Sequence, residues 1–256
     1  MNIMKLFKAA AIALALCAPS LSQAVVRPQD RALIIITELD TGGLRELAPL
    51  YSALEDIGAG LPRLPILRQQ YREIHVLKDR DATTQKFKAM GLHLASRPEI
   101  KAIDVFVMLH GLTNRLLFAN GTITPDRLAQ FMTTSTNTRE ARLVLEMKKK
   151  FRLLYNTSCF GASHRAGFRQ MGFDVVVGSI AVNANAEVEY PSFLTLWNAG
   201  ANIRDSFAPS NNSVALAAAD GPLRLAGQFG NNFLRHIDSR KVFSGDVLMT
   251  INSDPR

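Results

Sequence analysis

Four short runs of this chain are apolar along nearly their whole length, with helix-like sequence between them. Ala32-Leu-Ile-Ile-Ile-Thr37 is the first, and Ile103-Asp-Val-Phe-Val-Met-Leu109 is the clearest. Arg152-Leu-Leu-Tyr-Asn156 and Asp174-Val-Val-Val-Gly178 follow. A strand with one face in water alternates apolar and polar residues, whereas an unbroken run marks a strand covered on both faces. Such strands, alternating with helices, predict an α/β fold: a parallel-sheet three-layer sandwich with helices on both faces.

The segments between fit that plan. Thr41-Gly-Gly43 punctuates the chain, and Leu44 to Ile57 has helical spacing until Gly58, Gly60, Pro62 and Pro65 break it. Ile74 to Leu77 is a shorter strand candidate, and Ala82 to Ala95 a helix with a polar face. Arg115 to Thr124 reads as a hairpin turning at Asn120-Gly121. Thr124-Pro125-Asp126 is a helix start, a capping hydroxyl followed by proline in the first turn, with helix running to Met132. Further helices are expected from Thr138 to Lys149, from Ser163 to Met171, and over most of the chain from Pro191 on, including Val214 to Ala219.

Residues 1–24 read as a secretory signal peptide rather than as part of the fold. Lys5 and Lys8 give the positive start, Ala9 to Ala18 the apolar stretch, and Ser22-Gln23-Ala24 the small residues of a cleavage site. Ten apolar residues fall short of the roughly 20 a spanning helix needs, and no later stretch is longer, so no membrane span is expected. Cys17 as a lipid attachment site is disfavoured by the bulky Leu16 before it. The chain is thus expected to be exported, periplasmic or secreted after cleavage near Ala24, with residues 25–256 as a single domain whose C-terminal part is mostly helical.

Cleavage would lower the formal charge from +8 to +6 through loss of the two lysines. The only dense basic run, Lys148 to Lys150, closes a helix, where cations suit the dipole. Few aromatics interleave with the arginines, so no nucleic-acid partner is expected. Cleavage also leaves Cys159 alone. Exported proteins usually pair their cysteines, and an odd one is either a reactive thiol, half of an intermolecular bridge, or a small buried hydrophobe.

Position separates these readings. In parallel sheets ligands bind beyond the carboxyl ends of the strands, and both His110 and Cys159 directly follow a strand candidate. A thiolate nucleophile needs a base and donors for the oxyanion formed on attack. His110 is the one histidine of the five at the end of a well-defined buried strand. The helix expected after Cys159 would lower the thiol pKa through its positive end. Gly111 leaves room for its N–H to meet a substrate carbonyl, with the N–H of Cys159 as second donor. Ser158, Gly161, Ala162 and Ser163 would let a peptide approach. His75, His93, His164 and His236 are expected in surface or core roles.

At these residues the chain resembles the caspase-like cysteine peptidases (clan CD), whose members include caspases, metacaspases, legumains and gingipains. The matching pieces are Asp104 to Gly111, "DVFVMLHG", and Phe151 to Ser163, "FRLLYNTSCFGAS". His110 and Cys159 stand 49 positions apart, close to the roughly 50 of caspases. The resemblance implies a caspase-like fold over residues 31–211, a cysteine endopeptidase, His110 as general base, Cys159 as nucleophile and a peptide or protein as substrate. Thr157 stands where metacaspases and legumains carry an acidic residue, and the caspase Gln-Ala-Cys is absent, so the cleavage preference stays open. Family specificity lies partly after the next strand, which makes Ser179, Asn183 and Glu187 candidate substrate-binding residues. Glu187 and Glu189 also fit as solvated carboxylates at a helix head.

Two rival classes remain. An α/β-hydrolase elbow wants glycine two positions before the nucleophile, where Thr157 stands, and would draw on Asp205 and His236. A domain that binds without turnover would keep the fold, although here both members of the dyad are present. No cluster of His, Cys or acidic residues has metal-ligand spacing and no phosphate-cradling glycine loop occurs, so neither metal nor cofactor is expected.

Overall fold

The computed structural model describes residues 25–40, 48–229 and 232–256, apart from the side chains of residues 48–50, 187, 188, 226, 229, 232 and 233. The expected signal peptide and the start of the helix expected from Leu44 lie outside the described residues. In chain order the strands and α-helices are β1 (Arg31–Glu38), α1 (Ala48–Gly60), α2 (Pro65–Gln70), β2 (Glu73–Lys78), α3 (Thr84–Ala95) and β3 (Ala102–Leu112). Then come β4 (Arg115–Phe118), β5 (Gly121–Ile123), α4 (Pro125–Thr133), α5 (Thr138–Lys150) and β6 (Phe151–Asn156). The remainder is α6 (Arg165–Gln170), β7 (Val175–Ser179), α7 (Ala186–Asn198), α8 (Ile203–Phe207), α9 (Ser213–Phe229) and β8 (Lys241–Gly245).

The central sheet runs β2-β1-β3-β6-β7-β8. The first five strands are parallel, and β8 closes the edge antiparallel to β7. Every residue of β1 and β6 is buried, as unbroken apolar runs require. Alternate side chains feed two cores. Ile34, Ile36, Val105, Val107 and Leu154 meet Phe87, Leu128 and Met147 on one face. Leu33, Ile35, Phe106, Leu153 and Tyr155 meet Tyr190, Phe193 and Trp197 on the other. The three-layer α/β sandwich expected from the sequence is the observed architecture.

Local chemistry sets the boundaries. Thr83, Thr124 and Asn137 cap α3, α4 and α5 by accepting the backbone N–H three residues on. Gly121 turns the β4–β5 hairpin with φ 119°. Lys150, expected at a solvated helix end, is instead buried and donates to the carbonyls of Ala95 and Arg97 at 2.8 and 2.9 Å. The strand β8 was not visible in the sequence: Lys-Val-Phe-Ser-Gly carries two apolar residues, too short a pattern to register.

The amino end of the sheet carries a buried charge cluster. Arg152 donates to both oxygens of Asp104, Nε to Oδ1 at 3.0 Å and Nη2 to Oδ2 at 2.5 Å, and both side chains are fully buried. Tyr71 adds a hydroxyl to Asp104 Oδ2 at 2.7 Å. Arg152 also reaches the carbonyl of Ser253 at 2.9 Å, and Arg31 reaches Asn252 Oδ1 at 2.6 Å. Val25 bridges to Ser253, so residues at both ends of the described chain meet beneath the strands.

Candidate active site

At the opposite, carboxyl end of the sheet the strand order places β2 on one side of β1 and β3 on the other, a reversal that opens a crevice in sheets of this kind. There Leu39 follows β1, His110 lies near the end of β3, Thr157 and Cys159 follow β6, and Asn183 follows β7. Together with Tyr51, Leu54, Met108, Leu109, Ala186 and Tyr190 they line one cavity of about 40 Å³. Three of the candidate residues, His110, Cys159 and Asn183, are thus brought together. The space is small, room for a few waters at roughly 10–15 Å³ each.

His110 owes its position to a change of partner. The parallel pairing of β3 with β1 ends at Leu109, and His110 to Leu112 turn to pair antiparallel with Leu117 to Arg115 of β4. The strand therefore runs through His110-Gly111 rather than ending there, because the hairpin continues it. His110 Nε2 lies 2.7 Å from the carbonyl oxygen of Leu39. A carbonyl only accepts, so Nε2 carries the hydrogen and Nδ1 is the ring's basic nitrogen. Tyr51 meets the ring edge-on, with centroids 4.5 Å apart. Burial lowers the imidazole pKa, against the raising effects of the Leu39 hydrogen bond and the charge of Glu38.

Cys159, the free thiol among the described residues, sits on a tight turn. Thr157 N–H and hydroxyl both donate to Val107 O, at 2.9 and 3.1 Å. Phe160 then adopts the left-handed region, with φ 57°, which costs a non-glycine residue about 1–2 kcal/mol. The turn fits only because Gly161 and Gly178 let two backbones touch: a Cβ on Gly178 would lie 2.4 Å from the Gly161 carbonyl carbon. Burial raises the thiol pKa, against the pull of the Asn183 backbone N–H and the charge of Lys241. The expected lowering by a following helix is not observed, because a 3₁₀ turn (Gly161–His164) and the six-residue α6 come next. Thiol and imidazole are both held towards their neutral forms.

The other candidates are placed differently. Gly111 is buried against Cys159, where a Cβ would lie 2.4 Å from the Cys159 carbonyl oxygen, and it is absent from the cavity wall. Ser179 also departs from expectation: it is fully buried beneath the site, its hydroxyl donating to the carbonyls of Ser158 and Ala181 at 3.2 and 3.1 Å. As the last residue of β7 it points into the sheet's packing rather than the crevice. Asn183 lines the cavity, donates to Thr157 O at 2.8 Å and accepts from Lys241 Nζ at 3.0 Å. The side chain of Glu187 lies outside the described residues.

Glu189 is not a solvated carboxylate. It is fully buried, accepts the Tyr155 hydroxyl, and its Oε2 lies 2.6 Å from Lys241 Nζ, which is equally buried. Lys241 donates to Asn183, Asn185 and Ser239, and meets Glu189 as a charge contact rather than an aligned hydrogen bond. This pair braces the wall behind Cys159 and was missed in the sequence. His164 is a core histidine, fully buried, with ring nitrogens 3.0 Å from Asn156 Nδ2 and 2.9 Å from Leu112 O. His75 pairs with Glu73 at 2.9 Å, and His93 and His236 are exposed. Against the expectation of no metal-ligating cluster, the carboxylates of Glu38, Glu55 and Asp79 come within 4.8 Å of one another. They belong to three separate elements, which no sequence spacing reveals. No described helix is long and apolar enough to cross a membrane.

No family model matches the chain, and no curated protein does. Among solved structures it is similar to pro-sf-caspase-1 at 13% identity over 90% of this chain and 95% of that one, with a TM-score of 0.46. It is similar to caspase-1 from Spodoptera frugiperda at 11% identity over 89% and 92%, also with a TM-score of 0.46.

Proposed function

We propose that the protein is a cysteine endopeptidase of caspase-like type, with Cys159 as nucleophile and His110 as base. One observation carries the reading: His110 gives its Nε2 hydrogen to Leu39, keeping Nδ1 basic, and shares a cavity with Cys159 at the carboxyl end of neighbouring parallel strands. As Cys159 Sγ attacks the scissile carbonyl carbon, its proton passes to His110 Nδ1 and the carbonyl electrons move to oxygen. The backbone N–H of Cys159 and that of Asn183, already against the sulfur, suit the resulting oxyanion. Collapse expels the amine, which takes the proton from the imidazolium, and water then hydrolyses the thioester with His110 again as base. Because both groups rest neutral, the thiol is deprotonated during attack rather than beforehand. Gly111 joins the donors only if the site opens.

The small cavity favours a second reading, a caspase-like domain that binds a partner without turnover. A mixed peptide library separates the two. The expected result is cleavage by the wild type that falls by about 10³-fold or more in Cys159→Ala and in His110→Ala. Absence of cleavage, or equal cleavage by Cys159→Ala, would sink the endopeptidase reading. The proposal extends to an exported setting, periplasmic or secreted, supported by the pattern of residues 1–24; N-terminal sequencing that finds Val25 as the first residue of the exported protein would support it.

A further inference from the structure

The base of the site depends on a main-chain carbonyl that no ladder holds. Leu39 lies just past the end of β1: pairing with β2 stops at Thr37 and pairing with β3 at Glu38. Its N–H nevertheless donates to Glu55 Oε1 at 2.6 Å, while its carbonyl accepts His110 Nε2 at 2.7 Å. Glu55 sits one helical turn after Tyr51 on α1, so the face that meets the His110 ring also holds the residue that orients it.

We propose that Glu55 is a positioning residue for His110: by clamping Leu39 it fixes the carbonyl that selects the Nε2–H form of the ring. The proposal rests on the reading of His110 as the base of Cys159. Only with the hydrogen on Nε2 is Nδ1 free to take the thiol proton. Unclamped, the backbone at Leu39 can shift and carry its carbonyl with it, and the ring loses its reason to prefer one tautomer.

The placement of Glu55 supports a dedicated role. A carboxylate 2% exposed is costly, and its neighbourhood adds to the cost. Glu38 at the end of β1 and Asp79 after β2 bring their oxygens within 4.8 Å, and Asp40 adds a further like charge. Among the described residues the one cation facing it, Lys78, stands 3.9 Å from Oε2 and is itself 35% exposed. What Glu55 adds is a short hydrogen bond that reaches from α1 to a residue no strand secures.

The test uses the full chain carrying nitrogen-15 histidine, with His110→Ala to assign the ring signals, and compares the wild type with Glu55→Gln, Glu55→Ala and Glu55→Asp. Long-range proton–nitrogen spectra report the tautomer directly, and iodoacetamide alkylation of Cys159 across pH reports the base. Gln keeps an acceptor for the Leu39 N–H, so it should retain the Nε2–H form and alkylation within about twofold of wild type. Ala and Asp, the second too short to reach, should give mixed tautomers and alkylation slowed by about tenfold. If Ala fails to fold, Asp decides. A wild-type tautomer in a folded Ala or Asp variant overturns the proposal. Should His110→Ala leave alkylation unchanged, the dyad reading fails by itself, while the ring spectra still decide whether Glu55 sets the tautomer.

Discussion

Lys241 Nζ lies 2.6 Å from Glu189 Oε2, and both side chains are fully buried behind the wall that carries Cys159. Lys241→Met leaves a buried carboxylate without its cation, and the expected loss of stability is about 3–5 kcal/mol. The double variant Lys241→Met/Glu189→Gln keeps an acceptor for the Tyr155 hydroxyl and should regain most of it. Urea unfolding of the three proteins at neutral pH is the check. A single-variant loss under about 1 kcal/mol would mean that water already reaches the pair.

Burial raises the Cys159 pKa even though Lys241 and the Asn183 N–H act against it. The rate of iodoacetamide alkylation should therefore keep climbing above about pH 8.5, the ordinary thiol value. A plateau reached below pH 7 would mean a preformed thiolate–imidazolium pair and contradict the neutral resting state. The imidazole acts with the opposite sign. Its folded pKa is depressed, so stability is retained above the usual histidine value and falls as pH drops through the folded one.

Asp174 offers a stability test away from the site. Burial pushes its carboxyl up to about 6, against roughly 3.9 in an unfolded chain. Between those values the folded protein holds more protons, so stability falls as pH rises from about 4 to 6 and stays lower above. Asp174→Asn should raise stability at pH 8 by about 2 kcal/mol and leave it nearly unchanged at pH 4. Thermal melts at both pH values decide it, and an equal shift at the two would disprove the linkage.

Two glycines should respond in opposite directions. Gly178→Ala sets a methyl 2.4 Å from the Gly161 backbone and should cost at least about 2 kcal/mol while altering Cys159 reactivity, since the turn must shift. Gly60 has nothing within 4 Å and an ordinary φ of −79°, so Gly60→Ala should stabilise by about 0.4–1 kcal/mol. Chemical denaturation read alongside thiol labelling tests both.

His110 and Cys159 were legible for a geometric reason. A parallel sheet gathers its strand ends along one edge, so a residue that follows an apolar run has an address in space as well as in sequence. Leu39 was invisible because it acts through a carbonyl that every residue possesses. Glu189 misled because a carboxylate at a helix head reads as solvated until its cation is located, and Lys241 comes from an edge strand with two apolar residues. Ser179 was misplaced by one step: the strand runs on through it, so its side chain follows the sheet's alternation into the interior. The thiol pKa was misjudged because the short helix expected from Ser163 begins as a 3₁₀ turn, leaving six α-helical residues, while burial of the sulfur outweighs the charges that favour the thiolate. Pro191 and Pro222 lie inside helices, where tertiary packing overrides a breaker.

The two buried arginines beneath the strands carry a consequence for the order of events in synthesis. Arg31 and Arg152 are satisfied by carbonyls and an amide from residues 251–253, which the ribosome makes long after the strands those arginines belong to. Lys241, which braces the thiol's surroundings, is equally late. Until that stretch emerges, Asp104 already holds Arg152 and Gln70 already holds Arg31, but each guanidinium lacks the rest of its hydrogen bonds and the Glu189 carboxylate lacks its cation. The thiol therefore acquires its final electrostatic environment only once Lys241 has been made.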